Sequence, residues 1–220
     1  MSTAIHFIPL SDKPPSIEAL EIKTKESLEH VKNTIKIWKE AIETRLGISR
    51  IHKDESKERL KKFEEDCNTR SQYKDVICFL QSRIDQKLKT TTSKKQEILA
   101  LRINDHIQAI AAFDIKENEL YLANLASAPW NIRMHASVPP EYKDSIFKGG
   151  GKLLVLKCYQ IASKLKKREL TLQPLDGSFS FYSSIGMIPR ETSKEELSYI
   201  IRPETPPALL SLVSILNTDD

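Results

Sequence analysis

Residues 146–154 read Ile-Phe-Lys-Gly-Gly-Gly-Lys-Leu-Leu, and the consecutive glycines Gly149, Gly150 and Gly151 stand directly before an amphipathic stretch. Leu154, Cys158, Ile161 and Leu165 follow at spacings of four, three and four, the period of a helix with one apolar face. Glycine leaves no Cβ between backbone and ligand, and the first turn of a helix offers N–H groups and a dipole that favour an anion. The run is therefore a phosphate cradle in form, and it is equally the form of a plain flexible entry into a helix. A nucleoside-triphosphate loop is excluded by spelling: Ile146 stands where its first glycine belongs, and Lys152 is followed by Leu153 rather than Ser or Thr. The dinucleotide fingerprint fails as well, because no glycine follows three residues after Gly151.

Outward from the glycines, the period of the sequence changes twice. Upstream, 97–103, 106–115 and 119–127 are short runs rich in β-branched and aliphatic residues, parted by Asn104-Asp105 and by Lys116-Glu117-Asn118. Turn residues between short apolar runs predict consecutive antiparallel strands. A loop with Pro129, Pro139 and Pro140 connects them to the glycines. Downstream, Lys164, Lys166, Lys167 and Arg168 crowd the helix C-terminus, where the dipole favours cations. Residues 170–172 then read as a buried strand, 178–184 as a short helix closed by Gly186, and 197–201 as a final strand. Further back, Leu28, Val31, Ile35, Trp38 and Ile42 predict an amphipathic helix over 16–46. Tyr73, Ile77, Leu80, Ile84 and Leu88 continue the pattern after a charged stretch at 54–66, which makes one or two more helices. Neither stripe lasts the three to four heptads that a coiled coil requires. The order (helices, strand meander, glycine-led helix, strand, short helix, strand) gives an α+β fold with a mixed, mostly antiparallel sheet.

The chain of 220 residues and 25.1 kDa is 40% hydrophobic, enough to bury a core. No apolar run is long enough to cross a bilayer, and the first residues lack the basic-then-apolar layout of a signal peptide, so a soluble, cytoplasmic protein is expected. Cys67, Cys78 and Cys158 show no ligand or disulfide spacing, so neither a zinc site nor a disulfide framework is expected. Cys158 falls on an apolar stripe and reads as a buried small hydrophobe. The net charge of +4 hides an asymmetry: residues 1–96 hold 20 Lys/Arg against 15 Asp/Glu, and residues 97–220 hold 14 against 15. Because acids interleave the N-terminal bases, the pattern is that of solvated helix surfaces rather than of a nucleic-acid footprint.

Three stretches in order carry a resemblance: 122–131 (Leu-Ala-Asn-Leu-Ala-Ser-Ala-Pro-Trp-Asn), the glycine run, and 181–187 (Phe-Tyr-Ser-Ser-Ile-Gly-Met). Together they resemble the GCN5-related N-acetyltransferase (GNAT) superfamily over about residues 97–201. The resemblance implies the GNAT fold, with an enlarged helical N-terminal region over 1–96, an acetyl-CoA-binding core over 97–202 and a tail over 203–220. The first strand would lie near residues 6–10. It implies acetyl-CoA as co-substrate: Gly149, Gly150 and Gly151, with the amides of Lys148, Lys152 and Leu153, would face the pyrophosphate, and Leu125, Ala126 and Ser127 would pair with the pantetheine arm. Tyr182 matches the tyrosine that protonates the departing thiolate. The chain departs from the pattern at Ile146, where Gln or Arg is usual, at Leu175, where Asn is frequent, and in a loop lengthened by residues 130–147.

Direct attack of an amine on a thioester suits this set. The amine, with a reference pKa near 10.4, must lose a proton, and the thiolate, near 8.5, must gain one, which a phenol near 10 can lend. For the base, Glu119, Glu169, His135 and Glu141 are candidates, and Glu169 is preferred for its place on the strand before the tyrosine. Trp130 either walls the acceptor pocket or anchors the long loop. The resulting expectation is transfer of an acetyl group from acetyl-CoA to a primary amine, on a protein or a small molecule, without a metal. The N-terminal helices would offer a surface to a protein acceptor or to a second copy of the chain. The rival is a non-catalytic helical interaction protein on a degenerate scaffold, for which the departures at Ile146 and Leu175 speak.

Overall fold

The computed structural model describes residues 17–46, 57–90, 95–132, 138–175, 178–191 and 197–201. Its strands are β1 (Ile17–Glu21), β2 (Gln96–Ile103), β3 (His106–Ile115), β4 (Glu119–Ser127), β5 (Glu169–Leu172), β6 (Ile188–Glu191) and β7 (Leu197–Ile201). Its helices are α1 (Lys25–Leu46), α2 (Lys57–Lys89), α3 (Gly150–Lys164) and α4 (Phe179–Ser184). One sheet runs β1-β2-β3-β4-β5-β7-β6, antiparallel everywhere except between β4 and β5. The meander forms as its turn residues predict. Asn104 and Asp105 both adopt positive φ, 46° and 68°, the conformation that a tight hairpin of right-handed twist demands.

Two apolar layers sandwich the sheet. On one face, Leu153, Leu154, Val155, Leu156, Cys158 and Ala162 of α3 meet Leu99, Leu101, Ala109, Ala111, Phe113, Leu120, Leu122, Leu170 and Leu172. On the other, the stripes of α1 (Leu28, Val31, Ile35, Trp38, Ile42) and α2 (Tyr73, Ile77, Leu80, Ile84) cover Ile98, Ala100, Ile107, Ile110 and Ala112. The alternation along β2 and β3 assigns successive residues to opposite layers, as the two-residue period of a strand requires. Arg83 of α2 clamps Asp114 through two bonds of 2.7 and 3.1 Å, and Lys87 reaches Glu97 at 2.9 Å, which fixes how α2 lies on the sheet.

The structure corrects two readings and decides one that was left open. The helix predicted over 16–46 begins only at Lys25, because residues 17–21 extend as the edge strand β1 against β2. Its start is set by Thr24 and Ser27, which exchange reciprocal backbone-to-hydroxyl bonds of 3.1 Å in a capping box. Of the one or two helices expected after residue 54, the structure has one, of 33 residues. A strand not foreseen, β6, closes the sheet edge beyond β7. The stretch 6–10, expected to supply the first strand, lies outside the described residues, as does the tail.

Candidate functional site

The parallel ladder between β4 and β5 runs from Glu119↔Glu169 to Leu122↔Leu172 and stops. β4 continues to Ser127, held on one side by β3 through Ala112↔Asn124, Ala111↔Leu125, Ile110↔Ala126 and Ala109↔Ser127. The register shifts between Ala112 and Phe113, so that Ala123 is an extra residue in β4 at the point where the ladder with β5 ends. Bulges bend the strand that carries them and end pairing. The half of β4 from 123 to 127 therefore turns an edge of backbone N–H and C=O groups toward a gap where a neighbouring strand would otherwise lie.

The glycine run closes the end of that gap. Gly149 takes φ 113°, a left-handed value that non-glycine residues rarely adopt, and delivers the chain into α3. Gly150 is seated on β2 and β3: a Cβ there would meet the Ala109 Cβ at 3.1 Å and the Leu101 Cδ2 at 3.2 Å. Gly151 lies against the other two motifs, because its Cβ would come 3.4 Å from the Ser127 Oγ, 3.7 Å from the Leu125 Cδ2 and 3.3 Å from the Phe181 Cζ. Ser127, Gly151 and Phe181 are thus brought to one place from positions far apart in the chain. The Leu153 amide donates to the Gly149 carbonyl at 3.1 Å and closes the first helical turn. The expected contribution of that amide is spent inside the helix, and the amides of Gly149, Gly150 and Gly151 precede it. Lys148 is exposed, Lys152 is partly buried and Ala126 points into the α1–α2 layer.

Beside the gap is a cavity of about 320 Å³. Tyr121, Leu122, Ala123, Asn124 and Leu125 of β4 form its floor, Gln173, Pro174 and Leu175 one side, Ser178 and Tyr182 another, and Asp75, Val76 and Phe79 of α2 the last. Tyr182 packs edge-on to Phe181, with ring centroids 5.0 Å apart, and tilted to Tyr199 at 6.0 Å. Burial pushes its phenol up to about 12. Among the described residues its hydroxyl has no hydrogen-bond partner, which leaves a neutral O–H donor available in the cavity.

The described base candidates lie elsewhere. Glu169 stands at the far end of β5 from the gap, three residues before the ladder ends, and accepts a 2.7 Å bond from the Arg190 guanidinium. Glu119 is held by Lys116 at 2.6 Å and by Thr171 at 3.0 Å. Glu141 is exposed in a 3₁₀ turn over Pro140–Ser145, and His135 falls outside the described residues. Glu119, Glu141 and Glu169 do not line the cavity. Among the described residues, no three His, Cys, Asp or Glu side chains gather as a metal site would need, and no helix is long and apolar enough to cross a membrane.

The long loop before the glycines has its own anchor. Gln108, fully buried near the start of β3, accepts from the Trp130 Nε1 at 3.2 Å and from the Asn131 Nδ2 at 2.6 Å, while the Asn131 Oδ1 accepts from the Phe147 amide at 3.0 Å. Trp130 also stacks against Tyr142 at 4.8 Å. Of the two roles open to Trp130, the structure selects the loop anchor. The positioning residue Gln108 carries no motif; its one signal is a polar side chain inside an apolar strand. Cys158 is buried as expected, and burial pushes its thiol up to about 12.

No family model matches the sequence, and no curated protein matches it either. Solved structures do. A protein described as an acetyltransferase of the GNAT family from Desulfovibrio desulfuricans superposes with a TM-score of 0.50 at 11% identity, over 86% of this chain and 99% of that one. An acetyltransferase of the GNAT family from Staphylococcus aureus Mu50 gives 0.47 at 12%, over 86% and 100%. The PaiA N-acetyltransferase of Thermoplasma acidophilum, in complex with coenzyme A, gives 0.45 at 20%, over 85% and 99%. Taken with the splayed fourth and fifth strands and the glycine-led helix between them, the Desulfovibrio likeness identifies the architecture: the chain has the GNAT fold.

Proposed function

We propose that the protein is an N-acetyltransferase that moves the acetyl group of acetyl-CoA to a primary amine. The observation that carries this reading is the convergence at Gly151, where the glycine turn, the open end of β4 and the tyrosine helix meet within van der Waals distance. In it, the amides of Gly149, Gly150 and Gly151 hold the pyrophosphate at the positive end of α3. The pantetheine arm lies along residues 125–127 as a strand would, bonding to the backbone edge that β5 leaves open. The thioester then reaches the cavity beside Tyr182.

The amine nitrogen attacks the thioester carbonyl, a C–N bond forms, the C–S bond breaks, and the thiolate takes the Tyr182 proton. The phenol recovers its proton from solvent. Reference values put phenol about 1.5 units above thiol; the burial that raises the Tyr182 phenol also raises a thiolate placed beside it, so donor and acceptor move together. The ion pair with Arg190 and its distance from the cavity make Glu169 a structural residue in this reading, and the proton lost by the amine leaves through the open mouth of the cavity. The core is formed by 97–202, and α2 supplies the wall on the acceptor side.

Isothermal titration with acetyl-CoA tests the reading. Binding at micromolar concentration is expected; no binding at tens of micromolar would sink it and favour the non-catalytic scaffold. An amine panel with detection of released CoA thiol, run on a Cys78→Ser background to remove the exposed thiol, then identifies the acceptor.

A further inference from the structure

The cavity beside Tyr182 is uneven in a way that describes its second occupant. Among the described residues that line it, only Asp75 is charged; the rest of the described polar lining is neutral. The described residues include four large hydrophobic side chains left exposed, and two of them, Phe79 (63% exposed) and Leu175 (44%), border this cavity. Phe79 follows Asp75 by four residues, so both project from one face of α2, about 5–6 Å apart at Cβ. Val76 and Pro174 fill in between. Among the described residues the Asp75 carboxylate makes no hydrogen bond or ion pair, and no cationic side chain lines the cavity to receive an anion.

We infer that the acceptor is an apolar monocation: a primary ammonium seated at Asp75, with an aliphatic or aromatic group on the neighbouring carbons laid against Phe79 and Leu175, and no carboxylate beside the amine. The inference rests on the acetyl-transfer reading of the same cavity. An amine of this class arrives charged and must be discharged before attack; the Asp75 carboxylate gathers the ammonium and favours its charged form, while the apolar walls strip water from it and favour the neutral form that attacks. A free amino acid fails on charge, since its carboxylate meets Asp75 with no counter-charge nearby. A hydroxylated short amine fails on area, since it leaves Phe79 and Leu175 wet.

The test is equilibrium titration of the full chain with three amines, phenethylamine, ethanolamine and L-phenylalanine, with and without saturating CoA. Phenethylamine should bind at least tenfold more tightly than either of the others. Phe79→Ser should shrink the gap to ethanolamine below threefold, and Asp75→Asn should shrink the gap to L-phenylalanine below threefold. Both positions are exposed, so the variants keep the core intact, and a melting curve checks this. Equal binding of the three amines, or gaps that survive the substitutions, overturns the inference. Failure of CoA to bind instead strikes the acetyl-transfer reading, while the amine titration without CoA still decides the acceptor class on its own.

Discussion

The two halves of β4 share one strand and one neighbour in β3, yet they do different work. From Glu119 to Leu122 the strand is closed on both sides, and Leu120 and Leu122 are buried under α3. From Ala123 to Ser127 the β5 side is open, and the side chains and backbone border a cavity and a helix N-terminus. A single inserted residue at the bulge marks the border. The comparison teaches that burial and an open backbone edge can be parted within nine residues: the closed half supplies burial, and the open half supplies hydrogen-bonding groups that β5 leaves unpaired, held in place by that burial.

The sharpest way to break the comparison is at the open half. Tyr182→Phe removes the cavity's neutral O–H while keeping the ring contacts with Phe181 and Tyr199. Turnover should fall by about 10²–10⁴-fold, as for loss of a general acid, with the KM for acetyl-CoA changed less than about threefold. Steady-state kinetics over both substrates reads this, and an unchanged kcat removes Tyr182 from the mechanism. The closed half should answer in the other currency. Leu170→Ala hollows the layer under α3, where Leu170 is 1% exposed, and should cost about 2–5 kcal/mol in urea unfolding. The acetyl-CoA affinity of the protein still folded should be unaltered; a large loss of affinity would mean that the two halves are not separable.

Much of this division was legible in the residues. Alternation and turn residues placed β3 and β4 to the residue, and the glycine run marked the N-terminus of α3, because these signals are local. What stayed hidden depends on pairing across the sheet. Ile17 to Glu21 alternate weakly, and only the free edge of β2 makes them a strand; the apolar stripe from Leu28 onward masked the boundary at Thr24. Pro189 lies inside β6, and proline argues against a strand except at an edge, which is where β6 sits. Missing β6 also hid Arg190, and with it the ion pair that occupies Glu169. The α2 wall of the cavity could not be read at all, since nothing in the spacing of Asp75 and Phe79 says that they face Tyr182.

A smaller effect probes the join between the halves. Gly151→Val adds three carbons where a Cβ alone would come 3.3 Å from Phe181 and 3.4 Å from Ser127. Pushing these apart should cost about 1–3 kcal/mol, the usual price of overpacking. Part of that strain will fall on the proposed acetyl-CoA site, so affinity should drop about tenfold by titration while the folded state survives. Full affinity in this variant would show that the first turn of α3 is not the cradle.

The smallest expected effect lies at the far tip of the open half, where α2 reaches over. The buried Tyr73 donates from its hydroxyl to the Ser127 carbonyl and ties down the end of β4. Tyr73→Phe should cost about 1 kcal/mol at neutral pH, the net worth of one such bond. Its pH dependence is the sharper reading. Burial raises the Tyr73 phenol well above its ordinary value, so above about pH 10 the unfolded chain gives up this proton while the folded chain keeps it. The folded state then binds more protons than the unfolded one, and stability falls as pH rises through the window between the two values. The phenol of Tyr182 and the thiol of Cys158, both pushed up to about 12 by burial, act in the same direction in wild type and variant alike. Because the variant has no proton to lose at 73, its decline should be shallower and the stability gap between the two proteins should close from about pH 10 upward. A gap that stays constant from pH 8 to 11 would mean that Tyr73 titrates alike in both states and that α2 does not hold the open half in the way this bond describes.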